Sequence, residues 1–314
     1  MSEANESTKK SMMMIANKKN TFSGHRGPIY TITPGIRPGE IISGSSDQMI
    51  GSWSLESGKE GNFSASMPTH IIALCAMTDR GLIVAGTSGG TVHVLDPVKK
   101  TEVKADKYFE SQVFDLAYSP KHRLLFVSSG DGRVVVTDSV SLEKLKSLQL
   151  CNEKIRSFAI DPSEDSIAIA SSDGRVRVFT LPLMQETHNF HAHDLAANVV
   201  CWHPEGKYLL SGGRDAHLNV WDPKNDFKLI QSIAAHNYAI YSIAFSPDGK
   251  LFATGSRDKT VKVWNAENQE LLLRINKEKQ EGHLNSVNKI LWLEEGLISA
   301  GDDRAIMVWE LENK

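Results

Sequence analysis

The sequence predicts an all-β chain folded as a seven-bladed β-propeller of four-stranded antiparallel blades. Three observations carry the prediction: a short segment recurs seven times, each recurrence lies among four strand signals, and the last copy ends before its fourth strand. The recurring segment pairs a strand of small residues with a tight turn on Asp or Gly and then an alternating strand. Its phase marker falls at Trp53, Leu95, Thr137, Phe179, Trp221, Trp264 and Trp309, with spacings of 42, 42, 42, 42, 43 and 45 residues. A period of this size with short strands is that of a propeller blade, whereas helical repeats of similar length carry a 3.6-residue apolar pattern.

Within each copy the elements follow in a fixed order. In the sixth, Ile240 to Phe245 alternates as a strand, Ser246 to Gly249 forms a Pro/Gly turn, and Leu251 to Thr254 begins a second strand. Asp258 then marks a hairpin turn before Thr260 to Trp264, with the chemistry such a turn requires. The copies span approximately 24–60, 66–102, 108–144, 150–186, 192–228, 235–271 and 282–314. After Trp309 only five residues remain, too few for a fourth strand. The stretch 14–23, just ahead of the first copy, occupies the place of such a strand and is expected to complete the last blade, removing an open sheet edge. Residues 1–13 are expected to form a flexible tail and 14–314 a single domain, acting as a monomeric propeller. A repeat architecture of this length needs no second domain, because each unit buries its surface on its neighbours.

Composition narrows the function. Hydrophobic residues make up 40% and charged residues 23%, the range of a globular domain rather than a disordered or membrane chain. A formal charge of −3 and the absence of a long Lys/Arg block argue against duplex nucleic acid or an anionic membrane as partner. Cys75, Cys151 and Cys201 have no CxxC spacing, so they read as small buried residues rather than a disulfide or zinc framework. The apolar stretch from Met12 to Ala16 is too short for a signal or a span. The chain is accordingly expected to be cytoplasmic.

The Gly24-His25 and Gly282-His283 pairs, the Ala-His pairs ending at His193 and His236, and the literal Trp221-Asp222 give the repeat its identity. The chain resembles the WD-repeat (WD-40) β-propeller family from about residue 14 to residue 310. The resemblance implies a buried hydrogen-bonded tetrad in four blades: His25, Ser43, Asp47 and Trp53; His193, Ser211, Asp215 and Trp221; His236, Thr254, Asp258 and Trp264; His283, Ser299, Asp303 and Trp309. The second to fourth blades carry Met67, Phe109 and Cys151 in place of the His, Ala85, Val127 and Ile169 in place of the hydroxyl, and Leu95, Thr137 and Phe179 in place of the Trp. Loss of most members together is expected, since a half-satisfied buried network is worse than apolar packing.

The resemblance further implies a binding face where the residue after the first apolar position of each innermost strand points to the channel. Those residues are Tyr30, Ile72, Phe114, Arg156, Asn198, Tyr241 and Asn288. The hairpin turns add Ser46, Ser88, Gly130, Ser172, Arg214, Arg257 and Asp302. Aromatic and Arg anchors are typical of interface hot spots, and Arg156, Arg214 and Arg257 suit a carboxylate or phosphate of a partner. The expected function is a non-catalytic scaffold that binds a protein or peptide there, alone or as a subunit of a larger complex, with no cofactor and no metal. A propeller enzyme and a nucleic-acid or phosphate-recognition module are the alternatives. The Ser/His/Asp set recurs four times, which marks a packing device rather than a catalytic triad, and no GxSxG elbow is present. His191, His193, Asp194, Cys201 and His203 match no metal-ligand spacing, and Gly86 to Gly90 lie in a hairpin turn rather than ahead of a helix.

Overall fold

A computed structural model describes residues 14–313; the expected tail, residues 1–13, lies outside the described residues. Among the described residues the strands form seven sheets of four antiparallel strands each. The sixth blade runs Ile240–Phe245, Leu251–Ser256, Val261–Asn265 and Leu271–Ile275 from the channel outward. Its small-residue second strand is buried from Phe252 to Ser256, as close packing between neighbouring blades requires.

Each innermost strand packs on the next, and Ile29–Pro34 meets Val287–Leu293 to close the ring. Seven apolar clusters fill the gaps between blades. One of them joins Phe126 and Val136 of the third blade to Ile155, Phe158 and Ile169 of the fourth.

The last blade is assembled from both ends of the chain. Met14–Ser23 pairs antiparallel with Ala305–Asn313, from Met14 opposite Asn313 to Ser23 opposite Ala305. Phe22, Met14 and Ala16 turn inward, and Lys18 donates to Glu281 at 3.0 Å. Two short helices interrupt the strands, a 3-10 turn at Thr78–Arg80 and an α-helical turn at Lys277–Gln280, neither anticipated by the period. Asn276 caps the second by accepting from the Lys279 amide at 3.0 Å. No helix among the described residues is long and apolar enough to cross a membrane.

Candidate binding site at the channel mouth

Seven apolar residues that open the innermost strands, from Ile29 to Val287, are buried. The residue after each of them is left without a ladder partner. Pairing passes from Ile29 to Thr31, Ile71 to Ala73, Val113 to Leu116, Ile155 to Ser157, Ala197 to Val199, Ile240 to Ser242 and Val287 to Lys289. Such a bulge frees a side chain from the alternation and re-aims it. Here it turns Tyr30, Ile72, Phe114, Arg156, Asn198, Tyr241 and Asn288 onto one cavity of about 1140 Å³.

Of the hairpin-turn residues, Ser88, Arg257 and Asp302 line the same cavity, whereas Ser46, Gly130, Ser172 and Arg214 do not. Two ring members are committed to the neighbouring blade. Asn198 donates to the carbonyl of Ile240 at 3.1 Å, and Asn288 donates to the carbonyl of Ile29 at 2.9 Å and to Asp302 at 2.7 Å.

Arg156 is held from two sides. Its Nε donates to Ser172 at 2.8 Å, and the guanidinium lies 5.1 Å from the centre of the Phe114 ring. The Lys154 ammonium sits 5.4 Å from the same ring. Burial draws the Arg156 guanidinium below its ordinary value, Arg214 adds to that pull, and Tyr241 opposes it. No carboxylate pairs with Arg156 among the described residues. The cavity wall holds four cations, Arg156, Arg257, Lys259 and Lys289, against two carboxylates, Asp115 and Asp302, so the mouth is cationic on a chain of net negative charge. Arg257 lies 5.9 Å from the centre of the Tyr238 ring. Tyr238, Leu195 and Leu284 stand exposed on the loops entering the fifth to seventh blades, a set of apolar residues the sequence pattern did not single out.

A deeper level of the channel also escaped the sequence reading. Asp115 accepts from the Phe158 amide at 2.8 Å and Ser242 accepts from the Ile290 amide at 3.0 Å, each stitching one blade to the next. Burial raises the Asp115 carboxyl against the opposing pull of Lys289 and the Phe158 amide. Cys75 and Cys201 are free thiols pushed up to about 12, chiefly by burial, which leaves no thiolate for nucleophilic chemistry. Cys151 is free as well, and all three cysteines, expected from the sequence to be buried, keep partial exposure.

The four sets of His, Ser/Thr, Asp and Trp each form one hydrogen-bonded line. The imidazole Nε2 lies 2.7 Å from Ser43, 2.8 Å from Ser211, 2.7 Å from Thr254 and 2.8 Å from Ser299. Nδ1 meets Asp47, Asp215, Asp258 and Asp303 at 2.9, 3.1, 2.9 and 2.9 Å. The indole N–H reaches the same hydroxyls at 2.7, 2.9, 2.9 and 2.9 Å. An indole can only donate and a carboxylate can only accept, so with a neutral imidazole the direction is indole to hydroxyl, hydroxyl to Nε2, Nδ1 to carboxylate. The spacing matches a catalytic triad, yet all four hydroxyl residues are fully buried under an indole, where no substrate can reach them.

The third and fourth blades replace the line with an arginine. Arg177 donates to Asp173 at 2.6 Å and to Ser171 at 2.7 Å, and Arg133 Nε donates to Asp131 at 3.0 Å. The turn acid is thus satisfied without the histidine. Among the described residues no group of three or more His, Cys, Asp or Glu is placed to hold a metal ion. His191 and Asp194 face each other at the surface, His193 is held by Asp215, and His203 accepts from the Glu205 amide.

Residues 104–138, 142–180, 184–222 and 227–265 match the family model described as WD domain, G-beta repeat. Each match runs from an outermost strand through the first three strands of the following blade, so the sequence repeat is offset from the structural one. The first two matches cover blades that lack the histidine line, so agreement there rests on strand and turn pattern. No curated protein matches the chain.

Proposed function

The chain belongs to the WD-repeat β-propeller family, and on that premise we propose that it is a non-catalytic platform whose channel mouth binds a protein segment bearing a carboxylate or phosphate. The observation that carries the reading is Arg156, a guanidinium held between Phe114 and Ser172 without a carboxylate partner among the described residues. Holding a desolvated cation unpaired is costly, and an incoming anion recovers that cost through paired charge-assisted bonds. Tyr30, Ile72, Phe114 and Tyr241 supply apolar surface around it, and Tyr238, Leu195 and Leu284 extend that surface. Arg257 and Lys259 add to the field that would steer an acidic partner.

The sixteen residues of the histidine lines take a structural role in this reading, and residues 14–314 act as one unit. Three free thiols fit a reducing compartment, in line with the cytoplasmic expectation. Affinity capture from native lysate tests the proposal by comparing the wild type with a folded Tyr30, Phe114, Arg156 triple alanine variant. Partners retained by the wild type and lost by the variant support the site; an identical set on both proteins overturns it.

A further inference from the structure

A second cavity, of about 560 Å³, opens in the first blade and is lined only by that blade's own residues, among them Arg26, Asp47, Gly51, Trp53, Glu60 and Phe63. Its cause is one position. Two residues before each phase marker, the third strand directs a side chain into the space beside the turn acid. The other blades place His93, Val135, Arg177, Asn219, Lys262 and Met307 there, paired across the ladder with Ala85, Val127, Ile169, Ser211, Thr254 and Ser299. The first blade has Gly51, paired with Ser43.

The outermost strand widens the space further. From Gly51 to Trp53 its register advances four residues, Ser64 to Glu60, where the second to sixth blades advance three. Ser52 accepts from the Phe63 amide at 3.0 Å and pins this wider bulge. A Cβ on Gly61 would lie 2.3 Å from that hydroxyl, so the arch depends on a second glycine.

The other blades show what the space accepts. Lys262 threads its alkyl stem through it, donates to the carbonyl of Ala235 and comes within 6.0 Å of the Trp264 ring centre. Asn219 bonds the equivalent carbonyl, that of Ala192, at 2.7 Å. Arg177 delivers a guanidinium to Asp173 at 2.6 Å. In the first blade the matching carbonyl belongs to Gly24, the turn acid is Asp47, and the indole is Trp53. Glu60, opposite Trp53 in the ladder as Glu102 is opposite Leu95 and Glu186 opposite Phe179, is set against Gly24 and Trp53 and free of any ion pair among the described residues, whereas Glu102 is met at 3.3 Å by His93 from its own third strand. Arg26 is exposed at the rim.

We propose that this cavity binds a cationic head on an alkyl stem, an alkylammonium or guanidinium group, entering from outside where the fourth and sixth blades supply Arg177 and Lys262 from their own third strand. The ammonium would reach the Gly24 carbonyl and the Glu60 carboxylate, with its stem along Trp53 and Phe63. This site is separate from the channel mouth and stands or falls independently of it.

The test follows the Trp53 indole N–H resonance while N-acetyl-lysine methylamide is titrated into the full chain. A saturable shift is expected, absent with the norleucine analogue that lacks the ammonium. Gly51→Met, which installs the seventh blade's own residue at this position, should abolish it. That change fits the backbone, because a Cβ on Gly51 meets nothing closer than 3.4 Å, and an unchanged melting temperature would verify folding. Glu60→Gln should weaken binding by about ten-fold, the scale of one charge-assisted hydrogen bond. An equal response in Gly51→Met, equal binding of the norleucine analogue, or unchanged affinity in Glu60→Gln would each overturn the proposal. Comparing a lysine tripeptide with n-butylammonium then separates the sources: tighter binding of the peptide assigns the site to a protein side chain, and equal binding assigns it to a free amine.

Discussion

Replacing Phe22 by alanine removes the largest apolar side chain of the strand that closes the ring. Phe22 is 3% exposed and packs with Ile29, Ile41, Leu55, Ile298, Ile306 and Val308, its ring 5.4 Å from that of Trp53. These neighbours come from the first and last blades, so the ring cannot collapse onto one of them when the side chain is lost. Buried Phe→Ala changes cost about 3 to 5 kcal/mol, and a site walled by two rigid sheets belongs in the upper half of that range. Thr21→Ala, on the exposed face of the same strand, should stay within about 0.5 kcal/mol of wild type. Urea unfolding followed by tryptophan fluorescence reads both, and the midpoint should fall for Phe22→Ala at unchanged slope. If the two substitutions shift the midpoint equally, Met14–Ser23 contributes no core and the closure argument fails.

Two further outcomes follow from the turns and the buried histidines. Burial holds the His236 imidazole below its ordinary value, outweighing Asp258, while His236, Thr260 and the Asn237 amide hold Asp258 far below the usual carboxylate range despite its own burial. Folding therefore favours neutral His236 and ionised Asp258, so stability is complete above a pH of about 6.5 and falls on acidification, first as the histidine and then, below about 4, as the carboxylate takes up protons. His236→Gln should remove the part lost between pH 7 and 5, and denaturation at both values checks it; equal losses in variant and wild type would contradict it. Gly132 has φ +85° and a Cβ there would lie 2.0 Å from the Cys151 carbonyl, whereas Gly81, at φ +65°, would meet nothing within 4 Å. Gly81→Ala should cost about 1 kcal/mol from the left-handed backbone alone, and Gly132→Ala about 1 to 3 kcal/mol more from the clash; equal losses in urea unfolding would refute the crowding.

The blade count, the four histidine lines and the strand exchange were legible because each depends on local spacing: a turn acid six residues before the phase marker, or a fourth strand missing at one end and present at the other. The seven channel residues were also legible as positions, but not the bulge that aims them, since a bulge is a property of two paired strands. Asp115 and Lys289 were missed for that reason. Arg177 and Arg133 were missed because their partners, Asp173 and Asp131, lie in blades whose histidine, hydroxyl and indole are all replaced, which leaves the turn acid no partner in the repeat pattern. The cavity beside Gly51 depends on the register of Lys59–Ser66, which the sequence does not fix.

Hydrogen exchange on the chain, alone and saturated with a captured partner, tests the channel-mouth site most directly. Binding there should slow exchange in the strand entries at residues 28–31, 70–73, 112–115 and 154–157 and in the turn at 257–259, leaving the outermost strands unchanged. Slowed exchange confined to the outermost strands, with those entries unaffected, would contradict it.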